Sequence, residues 1–152
     1  MITEDYVSFE VAKFLKEKGF DESTIFVYYD FLPSSLCFPN EKCKRCALDL
    51  FYYDETTQVN NKFNNSMSIP KYISGEVYSA PTLQMAMKWL REMYDIHVVP
   101  RKDFFNGTYT GMIYDGRREN VFDKEDYIAL VGYETYEKAC EAGIKYCLEN
   151  LI

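Results

Sequence analysis

The sequence predicts an α+β fold: an antiparallel or mixed sheet with about three helices packed on it, in the order α-β-β-loop-α-β-β-β-α. Three observations lead there. Three segments carry apolar residues at helical spacing between recognisable caps. Five short runs are aromatic and β-branched, as strands are. Those runs come in hairpin-spaced groups rather than alternating strictly with helices, which separates α+β from α/β. The length of 152 residues suits one domain, and 47% hydrophobic residues are enough for a core. A single domain over 1–152, with a long loop at 55–75, is therefore expected.

The first helix is "SFEVAKFLKEKGF", residues 8–20. Ser8 is an N-cap, Val11, Phe14 and Leu15 recur at helical spacing, and Gly19 suits the left-handed position after the last turn. Phe20 then folds back on Leu15. "TIFVYYDF" (24–31) and "ALDLFYYD" (47–54) read as a pair of strands joined through a cysteine-bearing segment. After Asp54 the chain turns polar and loses periodicity, with four Asn in the six residues 60–65. This is the predicted loop.

"SAPTLQMAMKWLREMY" (79–94) is the second helix, with Pro81 in its first turn. Leu83, Ala86, Met87, Leu90 and Tyr94 lie on one face, and Met85, Trp89 and Met93 widen it. "IHVVPRKDFF" and "TYTGMIYD" then flank Asn106-Gly107, a hairpin signal in which both residues tolerate positive φ. Pro100 places its strand at an edge or a bulge, because proline donates nothing to a ladder. "DYIALVG" (126–132) is a further strand. "TYEKACEAGIKYCLENLI" (135–152) is the last helix, capped by Thr135. Its stripe is Tyr136, Ala139, Cys140, Gly143, Ile144, Cys147 and Leu151.

The segment with the most chemical content is "CFPNEKCKRC", residues 37–46. Cys43 and Cys46 have zinc-knuckle spacing, and Cys37 is placed as a third thiolate. A fourth ligand would have to be His97, a carboxylate or a group from another chain, since no second C-x-x-C or paired His exists. A redox pair draws on Lys42, Lys44 and Arg45 to lower the thiol pKa, yet "CKRC" precedes a strand instead of opening a helix. The plain reading, loop thiols without a task, stands beside both. Cys140 and Cys147, seven apart on the apolar stripe, read as small hydrophobes. His97, the one histidine, reads as a structural strand residue before it reads as a catalytic one.

No catalytic, cofactor-binding or metal site is therefore assigned, and no cofactor is expected. The carboxylates lack calcium-loop or paired-acid spacing, and no phosphate loop, nucleophile elbow or zincin motif occurs. The net charge of −7 opposes nucleic-acid binding, with only "CKRC" and Arg117–Arg118 as short basic clusters. "MITEDYVSFE" has acids where a secretory signal carries bases, and no run reaches membrane-spanning length. A cytoplasmic protein with no membrane partner is expected.

Two stretches, "SAPTLQMAMKWLREMYDIHVVP" (79–100) and "TYEKACEAGIKYCLENLI" (135–152), resemble small proteins of gut bacteria and their phages or prophages. That group carries an S-A-P-T-x-x-x-A-x-x-W-L-R-E-like helix start and a T-Y-E-E-A-like terminal helix. "EVAKFLKEKGFDE" (10–22) fits its usual opening. The shared motifs are caps and core positions, and the group has no established activity. Lys138 stands where the group has Glu, which weakens the capping box after Thr135. The resemblance implies a phage-type accessory protein without a stated mechanism.

With 14 Tyr and a run of Asn, the composition favours adhesive surfaces. The expected function is non-enzymatic protein–protein binding, with a homodimer compatible. The alternatives are a zinc-stabilised or thiol-active protein built on Cys37, Cys43 and Cys46, and an acidic DNA mimic.

Overall fold

A computed structural model of the chain describes residues 5–22, 24, 26–31, 51–52, 75–118 and 127–152. The class is α+β, and every described strand pairing is antiparallel. The chain forms two compact units, one of residues 8–81 and one of residues 1–7 with 82–152.

The 8–81 unit holds α1 (Phe9–Glu17), β1 (Phe26–Phe31), β2 (Phe51–Tyr52) and β3 (Gly75–Ser79). Ser8 caps α1, its hydroxyl accepting from the Val11 amide at 3.4 Å. The far end closes as the sequence predicts. Gly19 takes φ 87°, its N–H donates to the Lys16 carbonyl, and the Phe20 N–H donates to the Leu15 carbonyl at 2.9 Å. Both Leu15 and Phe20 are fully buried, as an apolar contact beneath this cap requires. Phe9 meets Tyr28 and Tyr78 edge-on at 5.6 and 5.3 Å.

The sheet order is β2-β1-β3. The expected pairing of the two aromatic runs is there, with Phe26 opposite Tyr52. β3 is the departure from the predicted order. Gly75–Ser79 pairs with β1 from Phe31↔Gly75 to Val27↔Ser79, where the sequence reading had the loop run to residue 75 and a helix open at 79. Residues 53–74, nearly all of the predicted loop, lie outside the described residues.

The second unit holds α2 (Leu83–Tyr94), β4 (Ile96–Lys102), β5 (Tyr109–Asp115), β6 (Tyr127–Tyr133) and α3 (Tyr136–Asn150). β4, β5 and β6 form an up-and-down meander in that order. α3 lies across all three strands, and α2 packs on β4 and α3. Pro81 proves not to be in the first turn of α2: Thr82 is the N-cap, its hydroxyl accepting from the Met85 amide at 3.2 Å. Asp5 accepts from the Leu83 amide at 2.9 Å, which ties the N-terminal segment to the start of this helix. Along α2, Leu83, Ala86, Met87, Trp89 and Leu90 are buried, while Met93 is 64% exposed and does not widen the apolar face.

One residue, Asp95, separates α2 from β4. It is left-handed at φ 54°, a conformation Asp tolerates better than most residues. Its carbonyl accepts from the Gly116 amide at 2.8 Å, and a β-carbon on Gly116 would run into the Asp95 carboxylate.

α3 sits unusually close to the sheet. A β-carbon on Gly111 of β5 would stand 2.7 Å from the Ala139 carbonyl oxygen, and one on Gly143 of α3 would stand 2.5 Å from a Val98 methyl. Ala139, Cys140, Gly143, Ile144, Cys147 and Leu148 form the buried stripe. Leu148 takes a place the sequence reading gave to Tyr136 and Leu151, neither of which is buried.

Candidate functional site

The β4–β5 hairpin holds the most distinctive surface among the described residues. The strand expected through Phe105 ends at Lys102 instead, because Asp103 diverts the backbone. The Asp103 amide donates to the Thr108 carbonyl at 2.8 Å, and the Gly107 amide donates to the Asp103 carbonyl at 2.9 Å. The Asp103 carboxylate accepts from the Phe105 amide at 2.9 Å and from the Asn106 side-chain amide at 2.8 Å. The result is a four-residue turn, not the expected two-residue one. Of Asn106 and Gly107, only Gly107 has positive φ, at 70°.

This fixed turn leaves two adjacent aromatic rings in solvent. Phe104 is 86% exposed and Phe105 101%. Burying a phenylalanine side chain is worth roughly 1.5–3 kcal/mol, so the tip carries a substantial unrealised transfer energy. A single exposed apolar residue is ordinary, but a rigidly held pair is less so.

The tip continues into the solvent face of the meander. Val98 points at α3, so strand alternation turns His97, Val99 and Arg101 the other way. Across from them stand Tyr114, Met112 and Thr110, and Tyr127 and Ala129 follow on β6. Val99, Tyr114 and Tyr127 are exposed on this face, and Val131 of β6 is 72% exposed. By this register none of the face positions from 97 to 101, 110 to 114 or 127 to 129 is an acid, in a chain with 24 acidic and 17 basic residues.

At the tip end the face is concave. A half-open cleft of about 270 Å³ is lined by Arg101, Lys102, Asp103, Phe104, Phe105, Thr110 and Met112. Met112 is only 8% exposed although it belongs to the solvent-facing set, so it forms a sheltered apolar floor. Arg101 and Lys102 are exposed, and neither forms an ion pair among the described residues. Lys102 lies 5.7 Å from the Tyr109 ring centroid.

The residues singled out in the sequence fall elsewhere. Cys37, Cys43 and Cys46 lie outside the described residues. Among the described residues no three His, Cys, Asp or Glu side chains gather where a metal ion would be held. Cys140 and Cys147 are buried free thiols, as the stripe requires. Burial pushes their pKa values up to about 11 and about 12, away from the thiolate that nucleophilic or metal chemistry needs. His97 is half-exposed, with Nε2 3.2 Å from the Asp95 carboxylate, opposite Tyr114 in the ladder.

The basic pair Arg117–Arg118 is turned inward on one carboxylate. Arg117 makes two bonds of 2.8 and 2.9 Å to Asp115 and a third, at 3.1 Å, to the Leu151 carbonyl. Arg118 approaches the same carboxylate at 3.8 Å. The Arg117 guanidinium holds the Asp115 carboxyl below the usual carboxylate range. This cluster fastens the β5 end to the last turn of α3 and offers little to a phosphate backbone. Among the described residues of this unit, Glu92 pairs with Lys88, Glu134 with Lys138, Glu149 with Lys145, and Asp115 with the arginines.

The sequence reading missed Phe104, Phe105, Arg101 and Met112 as surface elements. The signal was "RKDFFNG": two adjacent aromatics cannot both face inward in a strand, and they abut a turn dipeptide. No helix among the described residues is long and apolar enough to cross a membrane. No family model, no curated protein and no solved structure matches the chain.

Proposed function

We propose that this chain is a non-catalytic accessory protein of phage or prophage type that works in the cytoplasm by binding another protein through the β4–β5 tip and the adjoining sheet face. The observation that carries the reading is the Phe104–Phe105 pair, held in solvent by the Asp103 hydrogen bonds. Exposed aromatic side chains on a rigid support lose little entropy when buried, and such residues dominate protein interfaces. The resemblance to phage-type proteins supports the accessory role, and Arg101 and Asp103 beside the aromatics supply a polar rim.

The test places a photo-crosslinking residue at position 105, and separately at exposed Glu149, in the full chain expressed in a bacterial host. One discrete adduct from position 105, lost in Phe104→Ala and absent from position 149, is the expected result. An adduct of twice the chain mass identifies the partner as a second copy. Identical adduct patterns from both positions refute the reading.

A further inference from the structure

We infer that Asn106 is a self-modification site: it loses its side-chain amide to the Gly107 nitrogen, Asp103 holds that reaction in check, and the product releases the tip aromatics. Asn106-Gly107 is the only Asn-Gly pair in the sequence, and both residues are exposed at the head of the hairpin. The reaction needs only water. The Gly107 amide nitrogen gives its proton to solvent base and bonds to the Asn106 Cγ carbon. The Cγ–Nδ2 bond breaks, and Nδ2 takes up a proton and leaves as ammonia. Water then opens the cyclic imide at one of its two carbonyls. Cleavage at Cγ leaves aspartate; cleavage at the backbone carbonyl leaves isoaspartate, with the chain rerouted through the side chain. The sum is amide plus water to carboxylic acid plus ammonia. Glycine has no side chain to screen its nitrogen.

The folded turn opposes the first step at both reacting groups. The Gly107 N–H donates to the Asp103 carbonyl at 2.9 Å, so the proton that must leave is held. Asn106 Nδ2 donates to Asp103 Oδ2 at 2.8 Å, so the leaving nitrogen is held as well. A carboxylate only accepts, which identifies the amide nitrogen as the atom facing Asp103. Cyclisation therefore waits on local opening of the turn.

The product does not refit. A carboxylate at position 106 would meet the Asp103 carboxylate where a donor stood 2.8 Å away, exchanging a hydrogen bond for a like-charge contact. The same Asp103 carboxylate accepts from the Phe105 amide at 2.9 Å, so the hold on Phe104 and Phe105 loosens with it. Conversion is irreversible, and the converted fraction records how long the turn has spent open. Asn150, the other described asparagine, is placed differently: it donates to the Tyr146 carbonyl at the end of α3 and is followed by leucine. The effect on binding rests on the reading above, whereas the modification itself does not.

In the experiment, full-length protein is held in mildly alkaline buffer, folded or in urea, and sampled over weeks. Peptide mass mapping reads the conversion of Asn106, with Asn150 as internal control. Folded wild type should convert at Asn106 at least about tenfold more slowly than in urea, the worth of a hydrogen bond to a charged group that must first open. Asp103→Ala should erase most of that difference in the folded protein and change nothing in urea. Asp103→Asn keeps an acceptor without the charge and should fall between; it carries the comparison if circular dichroism shows Asp103→Ala unfolded. Asn106→Asp, the normal-backbone product, should speed hydrogen exchange at the Phe105 amide severalfold and weaken the position-105 crosslink.

Conversion of folded wild type as fast as in urea, or a folded Asp103→Ala protein no faster than wild type, overturns the proposal. So does an absence of conversion in urea, or a Phe105 amide that exchanges alike in wild type and Asn106→Asp. A position-105 crosslink unchanged by Asn106→Asp overturns the effect on binding alone. If fresh wild type gives no discrete position-105 adduct while mass and exchange behave as expected, the modification site stands and the binding reading falls.

Discussion

The closest contact between helix and sheet offers a quantitative test of the packing. Gly143 lies inside α3, where alanine would ordinarily add about 1 kcal/mol of helix propensity. At this position the new methyl would stand 2.5 Å from Val98 Cγ1, against 3.4–4 Å for an ordinary contact. Nearly 1 Å of relief is required. Val98 is stiff at χ1 and its backbone is paired to Ile113, so the helix must lift instead. Overpacking of this kind costs about 1–3 kcal/mol. Gly143→Ala should therefore destabilise by about 1 kcal/mol net, despite its propensity gain. Val98→Ala alone should cost about 2 kcal/mol through lost burial and a residual void. In the double variant the alanine methyl occupies space the valine methyls vacated, so the two costs should fall short of additive by about 1–2 kcal/mol. Urea unfolding followed by circular dichroism, with midpoints compared at constant slope, measures all four corners of the cycle. A Gly143→Ala protein more stable by the full propensity increment, or additivity within about 0.3 kcal/mol, would refute the close seating of α3.

Other outcomes follow from the same structure. Thr82→Ala removes the acceptor for the Met85 amide and should lower stability by about 1 kcal/mol, read by the same urea assay, with Thr82→Ser recovering most of it. Asp115 has its pKa depressed by Arg117, so the stability it contributes is present above its unfolded pKa near 3.8 and is lost as pH falls through the lower folded value. Asp115→Asn should flatten the acid limb of a pH–stability profile. Cys140 and Cys147 have raised pKa values, so their contribution is full below the unfolded value near 9.0 and is lost as pH climbs towards 11 and 12. With Cys37, Cys43 and Cys46 replaced by Ser, a thiol reagent should label neither remaining cysteine in native buffer and both in urea. Phe104→Ala should leave the stability read by urea unfolding within about 0.5 kcal/mol of wild type while abolishing the crosslink from position 105.

The features legible in the sequence were the local ones. Ser8, Gly19 and Phe20 specify both ends of α1 within thirteen residues, and the cap at Ser8 and the backbone bonds of Gly19 and Phe20 are present. Thr135 caps α3 as expected, its hydroxyl accepting from the Lys138 amide, while the Lys138 side chain turns to Glu134 at 2.7 Å in place of the reciprocal half of a capping box. Pro100 lies on β4, an edge strand among the described residues. β3 escaped because "GEVYS" is short, opens on glycine and pairs with a strand far upstream, information that a local window does not hold. The hairpin turn escaped because the Asp103 carboxylate, not the Asn-Gly dipeptide, organises it. The cleft needed two strands in register before Arg101 and Met112 could be seen as neighbours, and periodicity within one strand does not reveal register.

The strand registers also bear on the order in which the chain assembles. In the meander each strand meets its sequence neighbour, and the innermost β4–β5 pair, Lys102↔Tyr109, is only seven positions apart. β1 and β3 close through Phe31↔Gly75, forty-four positions apart. Loop-closure entropy makes the longer closure costlier by roughly 1.6 kcal/mol before any contact offsets it. The meander should therefore nucleate first and quickly, with the β1–β3 pairing forming in a later, slower step. During synthesis β1 leaves the ribosome well before β3 does. β2 pairs with one edge of β1, but the edge that β3 takes stays open until Gly75–Ser79 arrives, and that interval is when it is most open to capture by another chain.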